Sequence, residues 1–494
     1  MTRLTIDPIT RLEGHGKIEI FLDDRGEVER TYFQVPELRG FESFCVGRPV
    51  EEMPVLTNRI CGVCPEAHHL AAAKAADAVY RVDPPRTAKL LRELLYCAFF
   101  VTDHTTHFYA LGGPDIFVGP DAPVAERNIL GVIRKVGLEV GGRVIETRRA
   151  GHRVIELIGG RAIHPCTSVP GGLTHGIGED ARAEIETIAR SMLDFAGLSL
   201  GLFDRTLTGD PATRELLLGD LYRHETYYAG LVDERGRVAL YDGRVSVMAP
   251  DGERLGTYAP ADYRDWIAEH VEPWTYLKFP YLRQVGWRGF VDGKESGIYC
   301  VGPLGRLNAA DGMATPRAEE AYERFYATLA PPVDGHRALV HQRGASHWAR
   351  LIEMLYAAER MIEIVADPEI TSDDVRAVPT ETPTEGVGTV EAPRGTLTHH
   401  YWTDDRGIIT KVNLIVGTTN NHAPIAMSID RAARGLIHHG VVVNNGLLDR
   451  IEMAFRSYDP CFGCATHYLP GHMPLQVTIR DVRGDTIDVL ERDD

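Results

Sequence analysis

"RICGVCPEAHHL", residues 59–70, sets Cys61 and Cys64 three apart and follows them with Pro65, Glu66, His68 and His69. Proline is accepted in the first turn of a helix, where its missing N–H has no bond to make. The stretch "EAHHLAAAKAADAVY" (66–80) then reads as that helix, with Cys64 at its amino terminus, where the dipole favours a thiolate. A second pair, Cys461 and Cys464, stands near the other end in "DPCFGCATH", residues 459–467. Together the pairs supply four soft donors, which suit zinc, iron or nickel alike. Structural zinc is the commonest use of four cysteines, but zinc ribbons close loops of roughly 15 to 20 residues. Here 397 positions separate Cys64 from Cys461. A site joined from both ends of a chain points to a buried centre in a large domain. A thioredoxin-like redox role for either pair lacks its strand-to-helix setting.

The other four cysteines, Cys45, Cys97, Cys166 and Cys300, read as small buried apolar residues. Eight cysteines in 494 residues are too sparse for a disulfide framework. A chain of this size buries an ample core without staples. Its net charge of −17 argues against a nucleic-acid surface, which needs clustered Lys and Arg. "MTRLTIDPITRLEGHG" (1–16) lacks the basic and apolar regions of a secretory signal, and no apolar run approaches the roughly 20 residues that cross a bilayer. The expectation is a soluble chain.

Near the start, "KIEIFL" (17–22) alternates, "DDRG" (23–26) turns, and "EVERTYFQV" (27–35) returns, a hairpin pattern. A second "DDRG" (404–407) lies between "GTLTHHYW" (395–402) and "IITKVNLIV" (408–416). Between them the chain reads as helical: Leu91, Leu94, Leu95, Ala98 and Phe99 mark one face, which Asp103 and His107 extend. Further helices are expected near 179–200, 316–330, 346–366 and 444–457. "IGGRAIHPCTSVPGG" (158–172) and "TETPTEGVGTVEAPRG" (380–395) read as connections. "LQVTIRDVRGDTIDVL" (475–490) reads as a last hairpin. The expected class is α+β: one mainly helical domain over residues 1–467 with long core helices and small peripheral sheets near the termini, followed by an extension, 468–494.

Eight stretches in order resemble the large, catalytic subunit of nickel-iron hydrogenases. They are "DPITRLEGHGKIE" (7–19), "RGFE" (39–42), "RICGVCPEAH" (59–68), "TDHTTHFY" (102–109), "GGRAIHP" (159–165), "VGPLGR" (301–306), "APRG" (392–395) and "DPCFGCATH" (459–467). The resemblance implies reversible heterolytic cleavage of H2 to protons and electrons at a nickel-iron site, with carbon monoxide and cyanide ligands on iron. It implies that Cys61, Cys64, Cys461 and Cys464 hold nickel, Cys64 and Cys464 bridging to iron. A hydrogen-sensing relative would carry the same motifs, and a zinc-stabilised scaffold is the rival that is not an enzyme.

By the same resemblance Arg394, flanked by Pro393, stands above the metals between Asp103 and Asp459; a structural ion pair is its plainer role. Glu13 corresponds to a proton-relay carboxylate beside Cys461. Glu42 and His467 correspond to ligands of a magnesium or other divalent ion, or else pair with each other. His68 and His164 correspond to histidines around the cysteines, or are core histidines bonded to carbonyls. Thr418 and Thr419 fall where the family bonds its cyanide ligands, or are turn residues. No further cysteine cluster exists for an iron-sulfur centre, so the resemblance implies an iron-sulfur small subunit, further electron-transfer subunits, nickel-insertion factors, and a maturation protease that cuts behind His467. It also points to the cytoplasm.

Overall fold

The computed structural model describes residues 2–332, 338–466, 475–481, 483 and 485–492. Four long helices, Arg86–Thr106, Leu138–Gly159, Glu179–Gly209 and Ser346–Val365, pack on one another as its centre. The first and last are buried on nearly every face, as a helix apolar all round must be. Leu91, Leu94, Leu95, Ala98 and Phe99 lie inside as their spacing predicts, and so does Asp103 one turn further on. The helices expected at 316–330, 346–366 and 444–457 are found at Pro316–Leu329, Ser346–Val365 and Asn445–Arg456. That expected at 179–200 runs on to Gly209.

Small separate sheets surround the helices. Lys17–Leu22 pairs antiparallel with Val28–Gln34, and Gly395–Thr403 with Ile409–Ile415. Both "DDRG" turns work alike: the Asp23 carboxylate accepts the N–H of Arg25 and Glu27, and the Asp404 carboxylate that of Arg406 and Ile408. Leu475–Arg480 pairs with Thr486–Arg492, the last hairpin.

Three strand elements correct the sequence expectation. Thr2–Ile6 adds a third strand to the first hairpin. Glu385–Ala392, read as a connection, is a strand of the 395–415 sheet. Its Gly386 and Gly388 lie so close to the helix Pro65–Val79 that an added Cβ would meet the Ala75 and Ala71 carbonyls at 2.4 and 2.1 Å. That contact explains both the glycines in the strand and the alanines in the helix. Finally, a four-stranded sheet of Tyr227–Val232, Arg244–Met248, Arg254–Tyr258 and Tyr299–Cys300 lies in the middle of the chain, not near a terminus.

Candidate metal centre

Pro65 opens its helix and Cys64 is the residue before it, as expected. The Val63 and Cys64 N–H groups fold back to the Cys61 sulfur at 3.2 and 3.1 Å. Cys461 precedes a short turn of helix, Phe462–Ala465, and meets the first pair: Cys61 to Cys461 is 3.5 Å and Cys64 to Cys464 is 3.6 Å between sulfurs. All four are buried free thiols whose sulfurs lie within 4.8 Å of one another. Burial pushes the Cys461 and Cys464 thiols well up. Cys61 is drawn down, against its burial, by hydrogen bonds from its three neighbours. Four thiols so close and so buried give up their protons together when a cation binds the sulfurs and offsets the negative charge left on them. The donors therefore fit a soft metal site, and the sulfurs are arranged for a centre that both pairs share.

Glu13 sits in the loop between the paired strands Thr2–Ile6 and Lys17–Leu22. Its backbone accepts the Phe462 N–H at 3.0 Å, and its carboxylate accepts from the Cys461 sulfur at 2.9 Å and the Gly463 N–H at 3.0 Å. Burial raises this carboxyl above its ordinary range. A carboxyl poised so, on a ligand sulfur, is able to take a proton and return it.

Pro393 and Arg394 form the two-residue turn between Ala392 and Gly395, which pair across the hairpin. Hairpin turns ordinarily face water; Arg394 is 4% exposed. Its guanidinium reaches Asp103 at 3.2 Å and Asp459 at 2.9 Å. Burial, aided by the Asp103 carboxylate and opposed by Arg394, pushes Asp459 up to about 7. Asp459 also holds φ of 56°, a left-handed conformation that aspartate tolerates better than most residues.

Thr418 accepts the Cys461 N–H at 3.0 Å, and Thr419 donates to the Ala465 carbonyl at 3.3 Å, so both brace the second cysteine turn. His68 pairs with His399 at 3.1 Å rather than with a carbonyl, and burial lowers it to about 4. His164 donates to or accepts from no carboxylate among the described residues and bonds the Asn58 carbonyl at 3.1 Å. Glu42 is buried; it accepts the Leu414 N–H at 2.7 Å and stands 3.9 Å from the Lys278 ammonium, which Glu269 holds at 2.9 Å. His467, its expected partner, lies outside the described residues.

Two features escaped the sequence. Glu66 is buried, and desolvation raises it to about 8 near Asp103 and Cys61. Its signal was an acid directly behind a helix-opening Pro. His399 was missed although alternation in "GTLTHHYW" turns one histidine of the pair inward; both are in fact buried.

The nickel-dependent hydrogenase family matches residues 39–121 and 226–467, and a HoxL-like family matches residues 3–38. An iron-sulfur subunit of the F420-non-reducing hydrogenase from Archaeoglobus profundus is 47% identical over 99% of both chains. The NAD-reducing hydrogenase HoxS subunit beta of Cupriavidus necator is 36% identical over 99% of both. Among solved structures, an NAD+-reducing [NiFe]-hydrogenase in the H2-reduced state superposes with a TM-score of 0.86 at 38% identity, covering 94% of this chain and 100% of that one. A Ni-Fe-Se hydrogenase from D. vulgaris Hildenborough shares the fold at 22% identity and a TM-score of 0.73. The chain belongs to the nickel-dependent hydrogenase family. It is a large, catalytic subunit, an oxidoreductase acting on H2.

Proposed function

We propose that Cys61, Cys64, Cys461 and Cys464 hold a nickel-iron centre at which Glu13 moves the proton and Arg394 orders the open side. The observation that carries this reading is the convergence of four unpaired buried sulfurs with the Glu13 carboxyl 2.9 Å from one of them. When bound, the centre supplies the Lewis acidity without which H2 is too weak an acid to lose a proton. Glu13 then accepts that proton at its Oε2 atom from the Cys461 side, because burial disfavours its ionised form and so strengthens it as a base. Arg394, gripped by Asp103 and Asp459, presents a fixed positive edge in a dry site. Thr418 and Thr419 keep the second cysteine turn in register. By the resemblance, Cys64 and Cys464 would be the two thiolates shared with iron; their sulfurs lie 3.6 Å apart.

Carbon monoxide and cyanide on iron are part of this proposal, as is a divalent ion, magnesium by expectation, between Glu42 and His467. The iron-sulfur small subunit docks, in this reading, beside Cys61, where Val63 and Ile163 expose apolar side chains and Arg59 and Arg161 are also exposed. Further electron-transfer subunits pass the electrons on; relatives are named both NAD-reducing and F420-non-reducing, which supports an acceptor set by those subunits rather than by this chain. No described helix is long and apolar enough to cross a membrane; we place the enzyme in the cytoplasm. Residues 468–494 are proposed to be removed behind His467 by a maturation protease after nickel insertion. Metal analysis of purified protein with infrared spectroscopy tests the centre: nickel and iron with metal-bound carbonyl and cyanide bands are expected, and zinc without such bands refutes it.

A further inference from the structure

The ion pairs to Asp103 and Asp459 grip the Arg394 guanidinium, but a second set of contacts holds the chain that carries it. Arg306, 0% exposed, binds Glu353 at 2.6 and 2.7 Å and Glu391 at 2.7 Å. It also donates to the carbonyls of Ala392 at 2.8 Å and Pro393 at 3.2 Å, the two residues before Arg394. Asn421 accepts the Val301 N–H at 2.9 Å and donates its amide to the carbonyls of Val301 at 3.3 Å and Arg394 at 3.2 Å. Between them lies Gly302, with φ of 84°, where a Cβ would stand 3.1 Å from the Arg394 carbonyl oxygen.

These contacts cover every carbonyl from Ala392 to Arg394. We propose that Arg306 and Asn421 are positioning residues that fix the Pro393–Arg394 turn and thereby aim the guanidinium at the metal centre. The inference rests on the role of Arg394 given above. Three physical points support it. A buried turn must satisfy its carbonyls inside the protein, and these side chains do so from opposite sides. A buried ion network such as Arg306–Glu353–Glu391 adds little stability over apolar packing of the same volume, so fixed geometry is the better account of it. Asn421 also closes the turn whose Thr418 accepts the Cys461 N–H, so one segment registers both the second cysteine pair and Arg394.

The test uses the assembled enzyme with Asn421→Ala and with Arg306→Lys, which keeps one positive charge between the glutamates but lacks the fork that reaches both carbonyls. Asn421→Asp, which keeps the acceptor for Val301 and loses the donated bonds, serves if the alanine variant fails to accumulate. Nickel content and the KM for the electron acceptor are expected to stay at wild-type values while kcat falls about 10- to 100-fold, the scale of a misplacement near 1 Å. A crystal structure of the Asn421 variant should show the guanidinium displaced from Asp103 and Asp459. Combined with Arg394→Lys, either change should add no further loss. Wild-type kcat in the nickel-replete variants, an undisplaced guanidinium, or losses that multiply with Arg394→Lys overturns the inference. Full turnover in Arg394→Lys alone instead removes the role of Arg394 itself.

Discussion

Replacing Glu13 by Gln separates proton movement from everything else the residue does. The carboxylate Oε2 accepts two bonds, from the Cys461 sulfur at 2.9 Å and the Gly463 N–H at 3.0 Å. A glutamine of the same shape keeps the second bond through its carbonyl oxygen. The fit is tight, since a Cβ on Gly463 would lie 2.6 Å from Glu13 Oε1, so the isosteric change leaves no cavity. Stability should move by no more than about 1 kcal/mol, the worth of one ordinary hydrogen bond. The amide, however, does not titrate. A positioned acid–base group contributes about 10²- to 10⁴-fold, or roughly 2.7 to 5.4 kcal/mol of barrier at 1.36 kcal/mol per decade. Exchange between H2 and deuterated water, followed by mass spectrometry with nickel content measured on the same sample, should therefore fall by that factor, and H2-driven dye reduction with it. Exchange at the wild-type rate in nickel-replete Glu13→Gln would refute the relay.

Cys64→Ser replaces a soft donor by a hard one and should lose nickel and H2 oxidation together; a nickel-replete, active variant contradicts the ligand set. Arg394→Lys should fold and bind metal yet lose about a hundredfold in kcat, about 2.7 kcal/mol, because an ammonium lacks the planar fork that Asp103 and Asp459 hold. Unchanged kcat makes Arg394 a structural ion pair. Burial depresses His69, His104 and His422 to about 4 and His341 to about 3. Their folded values lie below the unfolded value near 6.5, so the stability they contribute is complete above that pH and drains as pH falls toward 4. The slope should approach ~1.4 kcal/mol per pH unit for each histidine, and a thermal midpoint that stays level from pH 6.5 to 4.5 refutes it. If residues 468–494 are removed on maturation, the active subunit should weigh about 3 kDa less than the translated chain, at ~110 Da per residue; an active, metal-replete enzyme with the intact mass excludes obligatory cleavage.

The helices were legible because apolar spacing over long windows leaves little choice, as at Leu91–Phe99 and in 346–366. The hairpins were legible because "DDRG" carries its own turn chemistry. Glu385–Ala392 was not, because Gly386 and Gly388 weaken a strand pattern, and only the close approach of the helix Pro65–Val79 shows why they are there. Strands 227–258 escaped because "YYAGLV" is buried throughout and shows no alternation. Thr2–Ile6 is mostly exposed and is held by pairing with Lys17–Leu22, which no local pattern announces.

The site divides along the same line. The cysteine pairs were legible because ligand chemistry fixes residue type and spacing within one turn. The parts contributed by ordinary residues were not. Arg306 has the look of a surface cation in "VGPLGR", and Asn421 that of a turn former in "VGTTNN". Each becomes informative only when its partners, 86 and 27 positions away for the Ala392 and Arg394 carbonyls, are seen to converge. Local sequence encodes what a side chain is able to bind; long-range packing decides what it does bind. The metal ligands belong to the first kind of information, and the placement of Arg394 to the second. Substitutions at the cysteines should therefore be read out in metal content, whereas those at Arg306 and Asn421 should be read out in kcat at constant metal.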